Sequence, residues 1–179
     1  SRRKYLVFYL RMLYDYAYYT YFRFLYVKIQ EAGKMIREFH APEDTRQVMD
    51  LWLEGNKDAH SFIPEEYWRS HLEEVQEQIL QAEVFVCDTG GKIQGFIGIV
   101  NGYIAGIFVD KNYRSRGIGK QLLDYAKERH AAFTLSVYQK NTGAVAFYLR
   151  EGFSVRSEAV DETTGEYEYT MFWKKKQTA

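Results

Sequence analysis

Arg114-Ser115-Arg116-Gly117-Ile118-Gly119-Lys120 lies between a strand-like run, Tyr103 to Asp110, and a helix-patterned run, Gln121 to His130. Strand, glycine-rich turn and helix start together make an anion cradle. The two glycines let the backbone turn tightly and bring its N–H groups against a ligand, and the first amides of a helix have no intrahelical acceptor. Those amides and the positive end of the helix dipole favour a phosphate. A P-loop needs G-x-x-x-x-G-K-[ST], but Gln121 stands where its Ser or Thr belongs and no glycine lies five positions before Gly119. The dinucleotide fingerprint G-x-G-x-x-G fails as well, because Leu122 occupies its third glycine position. What remains is R-x-x-G-x-G on Arg114, Gly117 and Gly119, with a basic turn capping a surface helix as the plainer alternative.

About two dozen residues downstream, Asn141-Thr142-Gly143-Ala144-Val145-Ala146-Phe147-Tyr148 is followed by Glu151-Gly152-Phe153, and the pattern reads as strand, helix, turn, strand. The two motifs, in this order, resemble the GNAT superfamily of N-acetyltransferases, over a stretch from about Met35 to Trp173. The resemblance implies an α/β chain with a mixed, mostly antiparallel central sheet, helices on both faces, and two neighbouring parallel strands that splay to admit the pantetheine of acetyl-coenzyme A. It implies an N-acetyltransferase with acetyl-CoA as co-substrate. A non-catalytic acetyl-CoA sensor is the competing class.

Bulk properties fit a single domain with an appended segment. At 179 residues and 46% apolar composition the chain can bury an ordinary core. One cysteine, Cys87, sits in an apolar run and cannot form an internal disulfide, so the expected compartment is the cytoplasm. The formal net charge of +0 argues against a nucleic-acid surface. Four scattered histidines and the lone cysteine offer no metal-ligand spacing.

The first 34 residues differ from the rest: seven Lys/Arg against two Asp/Glu give +5, which leaves −5 for the remainder, and aromatic residues from Tyr5 to Tyr26 crowd the segment. Arg11, Asp15 and Arg23 interrupt it, so a membrane span is not expected, and no small-residue cleavage site follows its apolar run. If native, the segment leaves an interfacial helix or a homodimer contact open. The reading preferred here places the natural start at Met35, with residues 1–34 translated from upstream; codons for Gln30-Glu31-Ala32 can spell a purine-rich ribosome-binding element of bacterial kind. Residues 174–179 read as a basic, solvated tail.

From Met35 the pattern alternates. A first strand is expected over Met35 to Phe39, then a helix opened by the acidic turn Pro42-Glu43-Asp44, with Val48, Leu51 and Trp52 on its apolar face. A loop is expected from Asn56 to Ile63, followed by one amphipathic helix carrying Trp68, Leu72, Val75 and Ile79. Gly90-Gly91 and Asn101-Gly102 mark hairpins, so three antiparallel strands lead into the glycine turn. Two helices and three further strands complete the chain, the last with Tyr167, Tyr169, Met171 and Trp173 on one face.

The resemblance also distributes roles. It puts the backbone of Ile107, Phe108 and Val109 along the pantetheine arm, and Ser115, Arg116, Gly117, Ile118, Gly119 and Lys120, led by Arg114, at the pyrophosphate. Asn141 falls beside the splay, although an asparagine there is equally an N-cap. Tyr148 falls at the sulfur, where a hydroxyl can serve as proton donor to the leaving thiolate. The carboxylate that many relatives carry on the strand before the loop is absent from Tyr103 to Val109. His60, in the loop between the first two expected helices, is a candidate to contact the amine and take its proton, with Tyr138 and Glu83 weaker candidates, and Phe62, Tyr67 and Trp68 are candidates to shape the acceptor slot. The expected acceptor is a protein or peptide amine, a lysine or an N-terminus, ahead of a small-molecule amine.

Overall fold

The computed structural model describes residues 18–21 and 33–176. The chain divides after Lys34 into two units. Of the first, residues 18–21 form a turn of helix; the aromatic extension and the last tail residues otherwise lie outside the described residues. The second unit holds seven strands, β1 (Lys34–Glu38), β2 (Glu83–Thr89), β3 (Lys92–Val100), β4 (Tyr103–Val109), β5 (Ala132–Tyr138), β6 (Ser154–Val160) and β7 (Tyr167–Lys174). Its helices are α1 (Thr45–Ala59), α2 (Glu65–Ser70), α3 (Leu72–Gln81), α4 (Ile118–Arg129) and α5 (Thr142–Arg150), with a 3₁₀ turn at Lys111–Tyr113.

The strands form one sheet in the order β1-β2-β3-β4-β5-β7-β6. Its β2–β3 and β3–β4 hairpins turn at Gly90-Gly91 and Asn101-Gly102, where every φ lies between 51° and 86°, the left-handed conformation that these turns require. Strands β5, β7 and β6 are antiparallel to one another. Only β4 and β5 run parallel, and they share a single register pair, Tyr103 with Thr134. Beyond that pair they separate. A bulge helps: Gly98 faces Gly106 but Ile99 faces Ile104, so Ala105 is an extra residue that bends β4 where it leaves β5.

Period-two alternation sends β2 into two cores. Phe85 and Cys87 face one side with Leu122, Leu123 and Ala126 of α4 and Tyr148 of α5. Val84 and Val86 face the other with Val48 and Met49 of α1 and Ile79 of α3. Burying a Leu or Ile side chain contributes about 1.5–3 kcal/mol, which is why α4, with Ile118, Leu122, Leu123 and Ala126 all buried, is fixed at the foot of the glycine turn.

Three expectations need correction. Helix α1 starts at Thr45, three residues after Pro42, because the Asp44 carboxylate is engaged elsewhere: it accepts from Arg37 at 2.6 and 2.9 Å and from the His40 amide at 2.8 Å. Arg37 also reaches Asp88, so one guanidinium ties β1, the α1 entry and the β2–β3 hairpin together. Helix α1 also continues past Gly55 to Ala59, since that glycine is a packing site: a Cβ there would stand 2.6 Å from Cδ1 of Phe108. The expected second helix is two, α2 and α3, broken at His71. The carbonyl of Tyr67 there accepts from Ser70 Oγ at 2.9 Å and lies 2.6 Å from His71 Nδ1.

Candidate active site

The parting of β4 from β5 opens a cleft of about 670 Å³ that passes through the sheet. On the α4/α5 side its wall is Gly119, Asn141, Ala144, Phe147 and Tyr148; on the α1/α2 side it is Trp52, His60, Trp68, Tyr138, Asp161 and Glu168. The bent strand supplies Ala105 to Val109 along the length between them. Ile107, Phe108 and Val109 are among the residues that line the cleft. The ring of Phe108 turns into the second core, stacked on Phe96 at 5.0 Å.

The turn after β4 has the conformation of a cradle. Ser115 (φ 59°) and Gly117 (φ 76°) are left-handed, and Gly117 is the N-cap of α4 without a side-chain cap, so the helix's first amides are open at that end. Arg114 pairs with Asp58 of α1 and donates to the Val109 carbonyl at 3.2 Å, which fixes the turn to the rest of the domain. Arg116 rests on the Tyr113 ring at 5.3 Å. Lys120 reaches Asp124 at 2.7 Å and Glu151 at 3.5 Å. Gly119 is informative for the opposite reason to Gly55: a Cβ there would meet Phe147 at an ordinary 3.6 Å, so nothing among the described residues demands a glycine.

Asn141 caps α5, its Oδ1 accepting from the Ala144 amide at 3.1 Å. Its Nδ2 contacts His60 Nε2 at 3.2 Å, and His60 Nδ1 contacts Asn56 Oδ1 at 3.1 Å. Asn56 Nδ2 donates in turn to the Trp52 carbonyl. Each amide's orientation is set by its other bond, so the tautomer follows: Nδ1 carries the imidazole proton and Nε2 accepts. Burial pushes the pKa of His60 down to about 4, which keeps the ring neutral. The result is an uncharged hydrogen-bonded chain from α1 to α5 across the cleft, and His60 has no nitrogen left over.

Tyr148 is 7% exposed and packs on Phe147 and Phe153, at centroid separations of 5.2 and 5.4 Å. Burial, and secondarily Tyr103, raise its pKa well above that of a free phenol. Tyr138 donates to Asp161 Oδ2 at 2.6 Å and is pushed up by burial and by that carboxylate. Phe62 contacts His60 and Tyr138 edge-to-face at 5.7 Å, and Tyr67 bonds Thr163 at 3.2 Å. Both stand behind the wall. Glu83 pairs with His130 at 2.6 Å, apart from the cleft.

Sequence reasoning missed Asp161 and Glu168. Glu168 Oε1 accepts from Ser136 Oγ at 3.1 Å, and no cation pairs with it among the described residues. Asp161 is held ionised with a pKa of about 2: burial, which opposes this, is outweighed by bonds from Thr163 and Tyr138. No group of three or more metal-binding side chains occurs among the described residues, and no described helix is long and apolar enough to cross a membrane.

Residues 81–155 match the family model of the acetyltransferase (GNAT) domain. Over 146 residues, 80% of this chain and 99% of the relative, the sequence is 37% identical to the peptidyl-lysine N-acetyltransferase YiaC of Escherichia coli K12. It is 32% identical over 123 residues, 66% of this chain and 84% of the relative, to the peptidyl-lysine N-acetyltransferase YjaB of Salmonella typhimurium LT2. The apo solution structure of Escherichia coli YjaB superposes with a TM-score of 0.68 at 22% identity, covering 78% of this chain and 96% of that one, a likeness of fold. The chain belongs to the GNAT superfamily of N-acetyltransferases and uses acetyl-CoA as its acetyl donor.

Proposed function

We propose that this protein acetylates a primary amine of a protein or peptide, a lysine side chain first, with the donor entering from the α4/α5 side of the cleft and the amine from the α1/α2 side. The observation that carries this is the single β4–β5 register pair, which leaves strand backbone from Ala105 to Val109 facing a through-going cleft. That edge suits an amide-bearing arm that pairs like a strand. The left-handed turn at Ser115 to Gly117 and the open amides of α4 suit a pyrophosphate, with Arg116 and Lys120 near. Gly119, a glycine that no contact among the described residues requires, fits a close approach of ligand to backbone.

The bound donor supplies an acetyl thioester. Tyr148 supplies a hydroxyl at the α5 wall. Its raised pKa means that it keeps its proton at neutral pH, whereas thiols ordinarily titrate near 8.5, so full proton transfer from this phenol is uphill. The role that fits is a hydrogen bond to charge developing on the leaving sulfur, with the proton moving late. Asn141 holds the start of α5, and with it Tyr148 two turns on, against α1. His60, neutral and with both nitrogens engaged, positions Asn141 and does not serve as the base. The lysine preference draws on the peptidyl-lysine activity for which two relatives are named and on the aromatic walls, Trp52, Trp68 and Tyr138, which suit a methylene stem.

An acetyl-CoA turnover screen across lysine peptides, polyamines, aminoglycosides and free amino acids tests this. Lysine peptides are expected to turn over with the highest kcat/KM. Efficient turnover of a small amine with inert peptides overturns the acceptor assignment, and no turnover at all despite tight acetyl-CoA binding favours the sensor class.

A further inference from the structure

The α1/α2 end of the cleft carries a charge imbalance that the donor end does not. Three carboxylates, Asp58, Asp161 and Glu168, line the cleft, and its one cationic side chain, Arg114, is already paired with Asp58. The other two differ in how they are held. Asp161 is saturated: Oδ2 accepts from Tyr138 at 2.6 Å, and Oδ1 accepts from the Thr163 amide at 2.9 Å and its hydroxyl at 2.6 Å. Its work is to anchor Tyr138 and the β6–β7 turn. Glu168 has one oxygen on Ser136 and the other without a partner among the described residues.

The sheet explains why Glu168 faces this way. It pairs with Tyr138 across β5–β7, and its neighbours Tyr169 and Met171 define the alternation: Tyr169 and Met171 turn into the core under α4, so Glu168 points to the opposite face. That is the face on which Tyr138 and His60 stand with ring centroids 5.2 Å apart. His60 adds no positive charge there, being neutral. Trp68, 8% exposed and on the same wall, has an indole N–H with no acceptor among the described residues. The result is an aromatic-walled, donor-bearing end of the cleft with a single under-used anionic oxygen.

Resting on the acceptor side proposed above, we infer that Glu168 is the acceptor-binding carboxylate: it pairs with the ammonium of the incoming amine and thereby selects cationic acceptors. Glu168 orients the amine, and the proton leaves to water. No carboxylate on β4 is needed, because β7 brings one to the cleft from the other side of β5. Asp161 strengthens the local field but has no lone-pair site in reach comparable to the open oxygen of Glu168.

The test is Glu168→Gln, which keeps the shape and leaves an amide oxygen for Ser136. Charge-assisted hydrogen bonds of this kind correspond to a rise of about 10- to 100-fold in KM for the amine, with kcat at saturation changing less than about threefold. Calorimetric affinity for acetyl-CoA should stay at the wild-type value, which also reports that the variant is folded. The KM of wild type should climb with ionic strength, and that dependence should flatten in Glu168→Gln, a response that loss of a purely structural contact does not produce. Glu168→Asp should recover part of the affinity. An unchanged amine KM and salt dependence in a variant that binds acetyl-CoA normally overturns the assignment. The measurement uses whichever amine turns over best in the screen, so an error about lysine peptides is distinguished from an error about Glu168.

Discussion

Under the proposed function, the two ends of the cleft would recognise their ligands by different means. The donor end is mostly backbone: the bent edge of β4, a left-handed turn and the first amides of α4. The acceptor end is all side chain, drawn from α1, α2, β5 and the β6–β7 hairpin. Backbone recognition needs residues that stay out of the way, and so it writes itself as glycines in one contiguous run. Side-chain recognition needs a few groups brought together from far apart, and leaves no local signature.

The largest expected effect breaks the donor end alone. Gly119→Trp places an indole at the helix start, at a position where a Cβ makes only ordinary contacts, and should weaken acetyl-CoA binding by about 100-fold or more, roughly 2.7 kcal/mol, in a protein of normal melting temperature. Calorimetry showing undiminished affinity removes the cradle from Ser115 to Lys120. Next, Tyr148→Phe deletes one hydroxyl from the wall between the two ends. Acetyl-CoA should bind as before while kcat falls by about 100-fold, the ordinary scale for such a group. Single-turnover rates equal to wild type would take Tyr148 out of the chemistry.

A smaller effect belongs to the acceptor end and to pH. The unfolded chain protonates His60 near 6.5, but the folded chain only near 4. Between those values the unfolded state holds more protons, so stability is complete above about pH 6.5 and is lost as pH falls towards 4. The loss should be on the order of 2 kcal/mol, allowing for partial exposure of the ring. His60→Gln should flatten that slope in denaturant titrations stepped through pH, since glutamine does not titrate. Asp161 acts in a separate window, below about 3.8, where its protonation through pH 2 removes further stability. A slope that survives in His60→Gln means another group carries it.

The smallest effect tests the support behind the donor edge. Gly55→Ala gains helix propensity of about 1 kcal/mol but forces the Phe108 ring aside, a strain of about 1–3 kcal/mol. The ring has little room, since it also lies against Gly106, where a Cβ would come within 2.3 Å. A net loss of about 1 kcal/mol in denaturant unfolding is expected, and a gain would show that the ring relaxes freely.

The same contrast explains what could be read before the structure. Hairpin turns, the glycine-rich turn into α4 and the Asn141 cap of α5 were legible because turn chemistry and helix starts act over a few residues. Gly55 misled, because a glycine inside α1 serves a ring some fifty residues away and resembles a helix stop. Asp44 misled in the same way, its carboxylate being claimed by Arg37. Glu168 was half visible: the parity of Tyr167, Tyr169 and Met171 already assigned it to the other face, but its place beside Tyr138 depends on β7 crossing over to lie between β5 and β6. No local pattern encodes that crossover. Phe62 and Tyr67 are the converse, aromatic and near in sequence to His60, yet one layer behind the wall.

The lone register pair between Tyr103 and Thr134 makes the middle of the sheet a seam. Four strands lie on one side and three on the other, and a single register pair joins the two groups. Amides of β4 beyond that pair are strand amides without a neighbouring strand on the β5 side, and they should exchange with deuterium sooner than those that face β3. A ligand arm lying along them would act as an extra strand and slow that exchange residue by residue, so the seam doubles as a gauge of how far the cleft has been filled.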